Sequence, residues 1–375
     1  MPYSYFRIVM RIVFVSYHYS PDIHSPQEWV NRIQFYVGWL QCLAKEHTVI
    51  RVDQINYEGN FTHNGVQYFC VNAGKKKNYF PLKLNRFVKT LNPDIVVVSS
   101  FLFPLQVIQL RACLGKSVKI ILQHHAEKPF TGIKKYAQRI AANKVDAFLF
   151  TARAIGIDWV KSGNLDTEKK VHESMEVSSV FYPVNSFMAK EKTNVTGSPV
   201  FLWVGRLNQN KDPLTVVNAF LKFTGLNPLA RLYMIYHTDE LLRNIKNLLP
   251  IDNSPVILVG KIEHSELLYW FNSADYFISA SHYEGSGTAL CEAMSCGCIP
   301  VVTDIPSFKK ITDDGQYGYL FEPGNANSLY EALIKTDHTN SKLFSEKVST
   351  HFMAALSFDS IAEKLYRLCK NLMAK

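Results

Sequence analysis

Glu284 and Glu292 stand eight residues apart in HYEGSGTALCEAM (His282–Met294), with Gly285, Ser286 and Gly287 between them. A carboxylate at the end of a strand can accept hydrogen bonds from the hydroxyls of a small ligand. A second one, about one turn into the following helix, can accept both protons of a vicinal diol such as a ribose. Glycines let backbone approach a ligand closely, and free amides at a helix starting near Gly287 or Thr288 favour a phosphate oxygen. Earlier, VGRLNQNKDP (Val204–Pro213) sets Arg206 and Lys211 in the loop after a strand that ends at Gly205, with Asp212-Pro213 opening a helix. Arginine grips two oxygens in a fork and lysine adds a point charge, so the two suit a diphosphate. Singly, each residue also reads as an ordinary loop or cap residue; the combination carries the weight.

Such side chains need elements to aim them. In the first half, Arg11–Tyr17, His47–Gln54, Pro93–Ser100, Val118–His125 and Asp146–Ala152 are apolar, β-branched runs that read as strands. Ser25, Pro26 and Glu28 form a capping box with proline at the first helical position, which predicts a helix running to about Ala44. Continuous apolar strands separated by helices imply a parallel sheet covered on both faces. The pattern then lapses into turn-rich sequence, read as a linker over 183–198. A second series follows, with strands at Val200–Gly205, Ala230–Tyr236, Pro255–Gly260, Tyr276–Ser281 and Ile299–Thr303. Its helices are expected near 213–225, 239–249, 264–273, 288–296 and 327–335. Ser357–Leu372 is an amphipathic helix with Ile361, Leu365, Leu368 and Leu372 on one face. The fold class is therefore α/β: two doubly wound, Rossmann-like domains, 1–182 and 199–355, then a terminal helix over 356–375. Loops at the carboxyl ends of both sheets would face a central cleft.

Composition agrees. A chain of 375 residues, 47% hydrophobic and 19% charged, is a folded globular protein of about two domains. Arg7 and Arg11 interrupt the apolar N-terminal run, which reads as a buried strand and not a secretory signal. Pro104, Gln106 and Gln109 interrupt the most apolar later stretch, so no membrane span is expected. Seven scattered cysteines, among which only Cys296 and Cys298 are close, read as reduced thiols of a cytoplasmic protein. Residues 1–190 carry 24 Lys+Arg against 13 Asp+Glu, and residues 191–375 carry 17 against 19. The basic first half is the one expected to meet anionic partners. No RNA- or DNA-binding module is present, so nucleic acid is not expected as a partner.

GRLNQNKD, followed by EGSGTALCEAMSCGCIPVV, resembles the retaining nucleotide-sugar glycosyltransferases of the GT-B fold, in the group 1 (family four) type. Val259–Ser281 and Gly318–Leu333 look like further parts of that pattern, and the likeness covers nearly all of the second half. It implies that Gly205, Arg206 and Lys211 hold the donor's diphosphate. Glu284, with Gly285 and Ser286, would meet the donor sugar and offset charge at its anomeric carbon. Gly287 and Thr288 would cap the distal phosphate, Glu292 would hold the ribose, and Gly260, Lys261 and Ile262 would meet the base through main chain. The terminal helix looks like the family's, which crosses back to brace the first domain. In the acceptor domain, KIILQHHAE resembles the strand whose terminal histidine borders the donor sugar; strand length favours His125, with His124 one residue away. Glu284, His125, Arg206 and Lys211 are thus the expected catalytic set.

The sequence departs from the family at three places. Ser25-Pro26 replaces a glycine pair before the first long helix, YHTDE (Tyr236–Glu240) replaces a glycine-rich turn, and MEVSSVF (Met175–Phe181) replaces an Asn-Gly segment. No Asp-X-Asp occurs, so a metal-bridged diphosphate has no such ligands; no metal or other cofactor is expected. The expected reaction is front-face transfer with retention from a nucleoside-diphosphate sugar. Its acceptor would be a lipid-linked or growing surface glycan, as in capsule, lipopolysaccharide or exopolysaccharide assembly. A basic, aromatic stretch, Gly74–Leu91, together with Lys134, Lys135, Arg139 and Lys144, suits an anionic membrane surface, which would make the protein peripheral on the inner face. Rival readings are a GT-B sugar-nucleotide epimerase, a phosphorylase, or a nucleotide-binding subunit with weak catalysis. Donor sugar, base, acceptor, linkage and oligomeric state are not written in the sequence.

Overall fold

Runs such as Ile95–Ser99 (IVVVS) are apolar on both faces, and only a sheet covered on both sides hides them. The structure, a computed structural model, describes residues 9–72, 81–336 and 341–374. It holds two such sheets, one in each of two units: Met1–Glu176 with Phe358–Lys375, and Val177–Ser357.

The first sheet contains β1 (Arg11–Ser20), β2 (Thr48–Ile55), β3 (Gly59–His63), β4 (Val66–Val71), β5 (Ile95–Ser99), β6 (Lys119–Gln123), β7 (Ala147–Phe150) and β8 (Val171–Glu173). Their order is β3-β4-β2-β1-β5-β6-β7-β8, and only β3 runs antiparallel, on β4. That hairpin was not anticipated, although Asn64-Gly65 supplies the two positive φ angles, 47° and 81°, of a tight hairpin turn. The helices are α1 (Pro26–Ala44), α2 (Leu82–Thr90), α3 (Pro104–Leu114), α4 (Ile133–Ala142) and α5 (Arg153–Lys161). The start of α1 follows the expected box. Ser25 Oγ accepts from the Glu28 amide at 3.2 Å, while the Glu28 carboxylate accepts from the His24 amide, one residue before the cap, at 2.8 Å. Val13, Val96, Val98, Phe148 and Phe150 of the sheet and Trp159 of α5 share one core.

The second unit opens with α6 (Ser186–Thr193), which corrects the linker expected over 183–198. Asn185 caps it, accepting from the amides of Phe187 and Met188, and Thr193 Oγ1 meets Ser273 Oγ at 2.9 Å. Only Ala189 of this helix is fully buried, so its sequence lacks the apolar stripe by which a helix is recognised. Then come β9 (Val200–Gly205), α7 (Pro213–Thr224), β10 (Arg231–Tyr236), α8 (Leu242–Leu248), β11 (Val256–Gly260), α9 (Leu267–Ser273) and β12 (Tyr276–Ser279). They are followed by α10 (Thr288–Ser295), β13 (Ile299–Thr303), α11 (Pro306–Ile311), β14 (Tyr319–Phe321), α12 (Ala326–Ile334) and α13 (Ser341–His351). The sheet is parallel throughout, in the order β11-β10-β9-β12-β13-β14.

The last helix, α14 (Phe358–Met373), belongs to the first unit and packs on α1. Ile361, Leu365, Leu368 and Leu372, the face read from the sequence, are buried together with Ala362, Tyr366 and Cys369. Gly38 of α1 permits the approach: a Cβ there would lie 2.5 Å from the Phe358 ring.

Candidate functional site

In a parallel sheet the loops that follow the strands' carboxyl ends gather side chains from separate parts of the sequence. In the second unit, β9 and β12 are neighbours, and the loops after them are stitched together. The His282 amide donates to the Asn210 carbonyl at 2.8 Å, and Asn210 Nδ2 donates to the Tyr283 carbonyl at 3.0 Å. Asn208 Oδ1 accepts the Lys211 amide at 3.0 Å and so curls the loop back. Asp212, left-handed at φ 43°, caps α7 through Thr215 and takes a 3.2 Å contact from His282 Nε2. This frame brings Lys211 Nζ onto Glu284 Oε1 as a largely shielded ion pair, the side chains being 23% and 15% exposed. Arg206 stands on the same loop, exposed, and has no ion-pair or hydrogen-bond partner for its guanidinium among the described residues. Gly205 ends β9, where a Cβ would press on the Trp203 ring at 3.1 Å.

Gly285, Ser286 and Gly287 are buried, and Thr288 opens α10. Gly287 has φ 60°, and a Cβ there would touch Phe308 at 3.0 Å, so both conformation and space demand glycine. One turn on, Glu292 is 3% exposed and holds His264 Nε2 at 2.7 Å through Oε1. Burial pushes the Glu292 carboxyl above its ordinary pKa, and the His264 contact opposes that rise. Phe181 stacks on His264, with centroids 4.8 Å apart. Gly260 ends β11 at φ 86° with open space on its Cβ side, and Lys261 beside it is exposed.

His264 and His282 lie within the motif stretches but carry nothing in sequence that marks them as partners of Glu292 and Asp212. Thr238 was missed in the same way. Its Oγ1 accepts the Leu207 amide at 2.8 Å, so YHTDE, which replaces the family's glycine-rich turn, anchors the Arg206 loop. Burial pushes the Cys296 thiol up to about 12 and raises that of Cys298 well above its ordinary value, which makes both poor nucleophiles and metal ligands.

In the first unit a cavity of about 360 Å3 opens at the ends of β1, β5 and β6. His125 lines it, with Nδ1 ion-paired to Glu176 and its amide on Glu127 Oε2 at 2.6 Å. Burial pulls its pKa down, but Glu176 and Glu127 more than offset this and leave the imidazole above its ordinary range. His124 goes the other way, into the core. It is 1% exposed, stacked on Phe150, and held at 2.9 Å to the Glu127 carbonyl; burial lowers its pKa. Trp29, Tyr36 and Arg51 share the cavity with His125. At Ser25-Pro26 the serine oxygen is already taken by the Glu28 amide, and Pro26 has no N–H. The first turn of α1 thus offers fewer donors to a phosphate than a glycine pair would.

A family model, "Glycosyl transferases group 1", matches residues 185–343, a span that opens at the Asn185 cap of α6. The alpha-monoglucosyldiacylglycerol synthase of Streptococcus pneumoniae is 29% identical over 157 residues, 40% of this chain and 35% of that protein. The likeness thus spans about a third of that relative's length. Among the solved structures that match nearly end to end are a sucrose-phosphate synthase from Thermosynechococcus elongatus (TM-score 0.71, 17% identity, 97% of this chain and 99% of that one) and the Anabaena protein HepE in complex with UDP and glucose (TM-score 0.69, 14%, 96% and 100%). Residues 185–343 thus carry the match to the group 1 glycosyltransferases, and the chain has the GT-B fold of two Rossmann-like domains.

Proposed function

We propose that the protein transfers a glycosyl unit, with retention, from a nucleoside-diphosphate sugar to a hydroxyl of a lipid-linked or polymeric glycan. The observation that carries this reading is the meeting of Lys211 and Glu284 at the ends of β9 and β12, beside Arg206 and the start of α10. In the resting site the lysine neutralises the glutamate. An incoming diphosphate draws Lys211 to itself, joins Arg206 and the α10 amides, and frees Glu284 for sugar hydroxyls and for the positive charge that builds at the anomeric carbon. In the reaction the bond from that carbon to the phosphate oxygen breaks as the bond to the acceptor oxygen forms on the same face. The acceptor's proton passes to the departing phosphate oxygen, and the diphosphate's charge is met by fixed cations and dipoles. Glu292 and His264 hold the ribose. The HepE complex with UDP and glucose supports a uridine donor, and the diacylglycerol-glycosylating relative supports a lipid acceptor.

Calorimetry with UDP, GDP and ADP tests the donor site. One of them binds the wild type, and Arg206→Ala or Lys211→Ala weakens it by about tenfold or more, the loss expected for a charge-assisted contact. Glu284→Ala keeps the fold and slows transfer about a hundredfold or more. Near-normal transfer by Glu284→Ala, or unchanged nucleotide affinity in both cation variants, defeats the reading. Turnover of donor without acceptor identifies an epimerase instead.

A further inference from the structure

Helix α4 shows apolar side chains on its outward side. Its inward side carries Ala141, Ala142 and Gln138, the last 3% exposed and hydrogen-bonded through both its amide nitrogen and its oxygen. Gln138 Nε2 donates to the Phe101 carbonyl at 3.0 Å, and its Oε1 accepts from the Phe130 amide at 2.9 Å and from Asn164 Nδ2 at 2.6 Å. Its outward side carries Ile133, Tyr136 and Ile140, which are 87%, 69% and 50% exposed. Their spacing puts them on one stripe, the arrangement by which a helix ordinarily hides apolar residues in a core. The stripe also has company. Arg111 ties α3 to the end of α4 through the Lys144 carbonyl and Asp146, and the start of α3 shows Leu102 and Leu105 at 46% and 48% exposure. Because β5 and β6 are adjacent and parallel, α3 and α4 begin at the same edge of the sheet. That is the edge where His125 lines its cavity, and Leu102 lines it too.

Charge identifies what covers this ledge. Between Lys128 and Val145 stand Lys128, Lys134, Lys135, Arg139 and Lys144, without one carboxylate. Arg139 is engaged by the Leu165 carbonyl, whereas Lys128, Lys134 and Lys144 are exposed. Five cations without an acid oppose packing against a second copy of the same face. Isoleucines and a tyrosine flanked by lysines fit the headgroup boundary of an anionic bilayer. Of the two stretches suggested by sequence, the ledge uses the second, Lys134 to Lys144. In the first, Gly74–Leu91, residues 74–80 lie outside the described residues, and α2 keeps Leu84 and Val88 in the core, at 5% and 0% exposure.

We infer that the α3–α4 ledge docks on an anionic lipid surface, with Ile133, Tyr136 and Ile140 entering the headgroup boundary and Lys128, Lys134 and Lys144 resting on phosphates. The inference extends the acceptor half of the proposed function by presenting a lipid-borne acceptor at the edge where His125 stands; it does not depend on the donor site. The test is sedimentation of the full chain with phosphatidylcholine vesicles, with and without phosphatidylglycerol, at low salt. Wild type pellets with the anionic vesicles. The triple variant Ile133→Ser, Tyr136→Ser, Ile140→Ser loses about tenfold or more in partition, while circular dichroism and nucleoside-diphosphate calorimetry stay unchanged. Lys128→Glu with Lys134→Glu, which leaves the helix packing alone, also reduces recovery. The inference is overturned by equal recovery of wild type with neutral and anionic vesicles, or by wild-type recovery of both variants. A dimer in analytical ultracentrifugation that the serine variant dissociates overturns it too, by making the ledge a contact between copies. Failure of nucleotide binding in calorimetry strikes the donor-site reading alone.

Discussion

His125 holds Nδ1 against the Glu176 carboxylate and keeps Nε2 as a buried ring nitrogen with no hydrogen-bond partner among the described residues, in a residue that lines the cavity. Glu176→Gln preserves the shape and removes the charge. The His125 pKa should then fall, read from the ring-proton shift in an NMR titration, because the burial that already pulls it down loses its main opponent. The sign for stability follows. A histidine whose folded pKa lies above its unfolded value, about 6.5, contributes stability that is complete below that value and is lost as pH rises through the folded one. The Gln variant should lack this alkaline loss; an unshifted His125 titration would refute the pairing. The sequence could name HisHis but not choose between the two, because neighbours in a strand point to opposite faces and either face can be the core. Packing of His124 among Phe101, Phe150 and Trp159 settles which one is structural.

Elements were legible where local chemistry alone decides them. Val200–Gly205 and Ile299–Thr303 have the bounds their apolar runs dictate, and Ser25-Pro26-Glu28 starts α1. The element α6 was not, since its place is set by partners such as Asn272, which accepts from the Val184 amide, and not by its own pattern. Short β8 and β14 were missed for the same reason: three residues carry too little periodicity to read. The contact of α14 with α1 yields a prediction that lives at this scale. At Gly38 even a methyl would lie 2.5 Å from the Phe358 ring, so Gly38→Ala forces α14 outward. Against the small gain in helix propensity, overpacking of this kind costs about 1–3 kcal/mol in urea unfolding. Phe358→Leu should be less harmful when combined with Gly38→Ala than alone, a coupling that a double-mutant cycle reads directly. Additive effects would mean that Gly38 does not set this approach.

Each unit of the molecule has its own sheet, and the expected donor-site residues, Gly205 to Glu292, all fall in the second. The charge follows the same division: the excess of cations lies in residues 1–190, while 191–375 is nearly neutral. A ligand anchored mainly on the second unit should therefore stabilise that unit most. At a hundred times its dissociation constant it contributes about 2.7 kcal/mol to whatever it holds folded. Amide hydrogen exchange distinguishes where that energy lands, since protection is local when opening is local. With saturating nucleoside diphosphate, exchange should slow in the loop 206–212, at 260–262 and across 282–292. The strands β2, β3 and β4, at the far edge of the first sheet, should exchange as before. The ion pair of Lys211 with Glu284 sharpens the expectation, because binding trades one partner of the lysine for another and so rigidifies a loop that Asn208 and Asn210 already brace. Slowing confined to the first unit would place the nucleotide elsewhere and remove Arg206, Lys211 and Glu284 from its recognition.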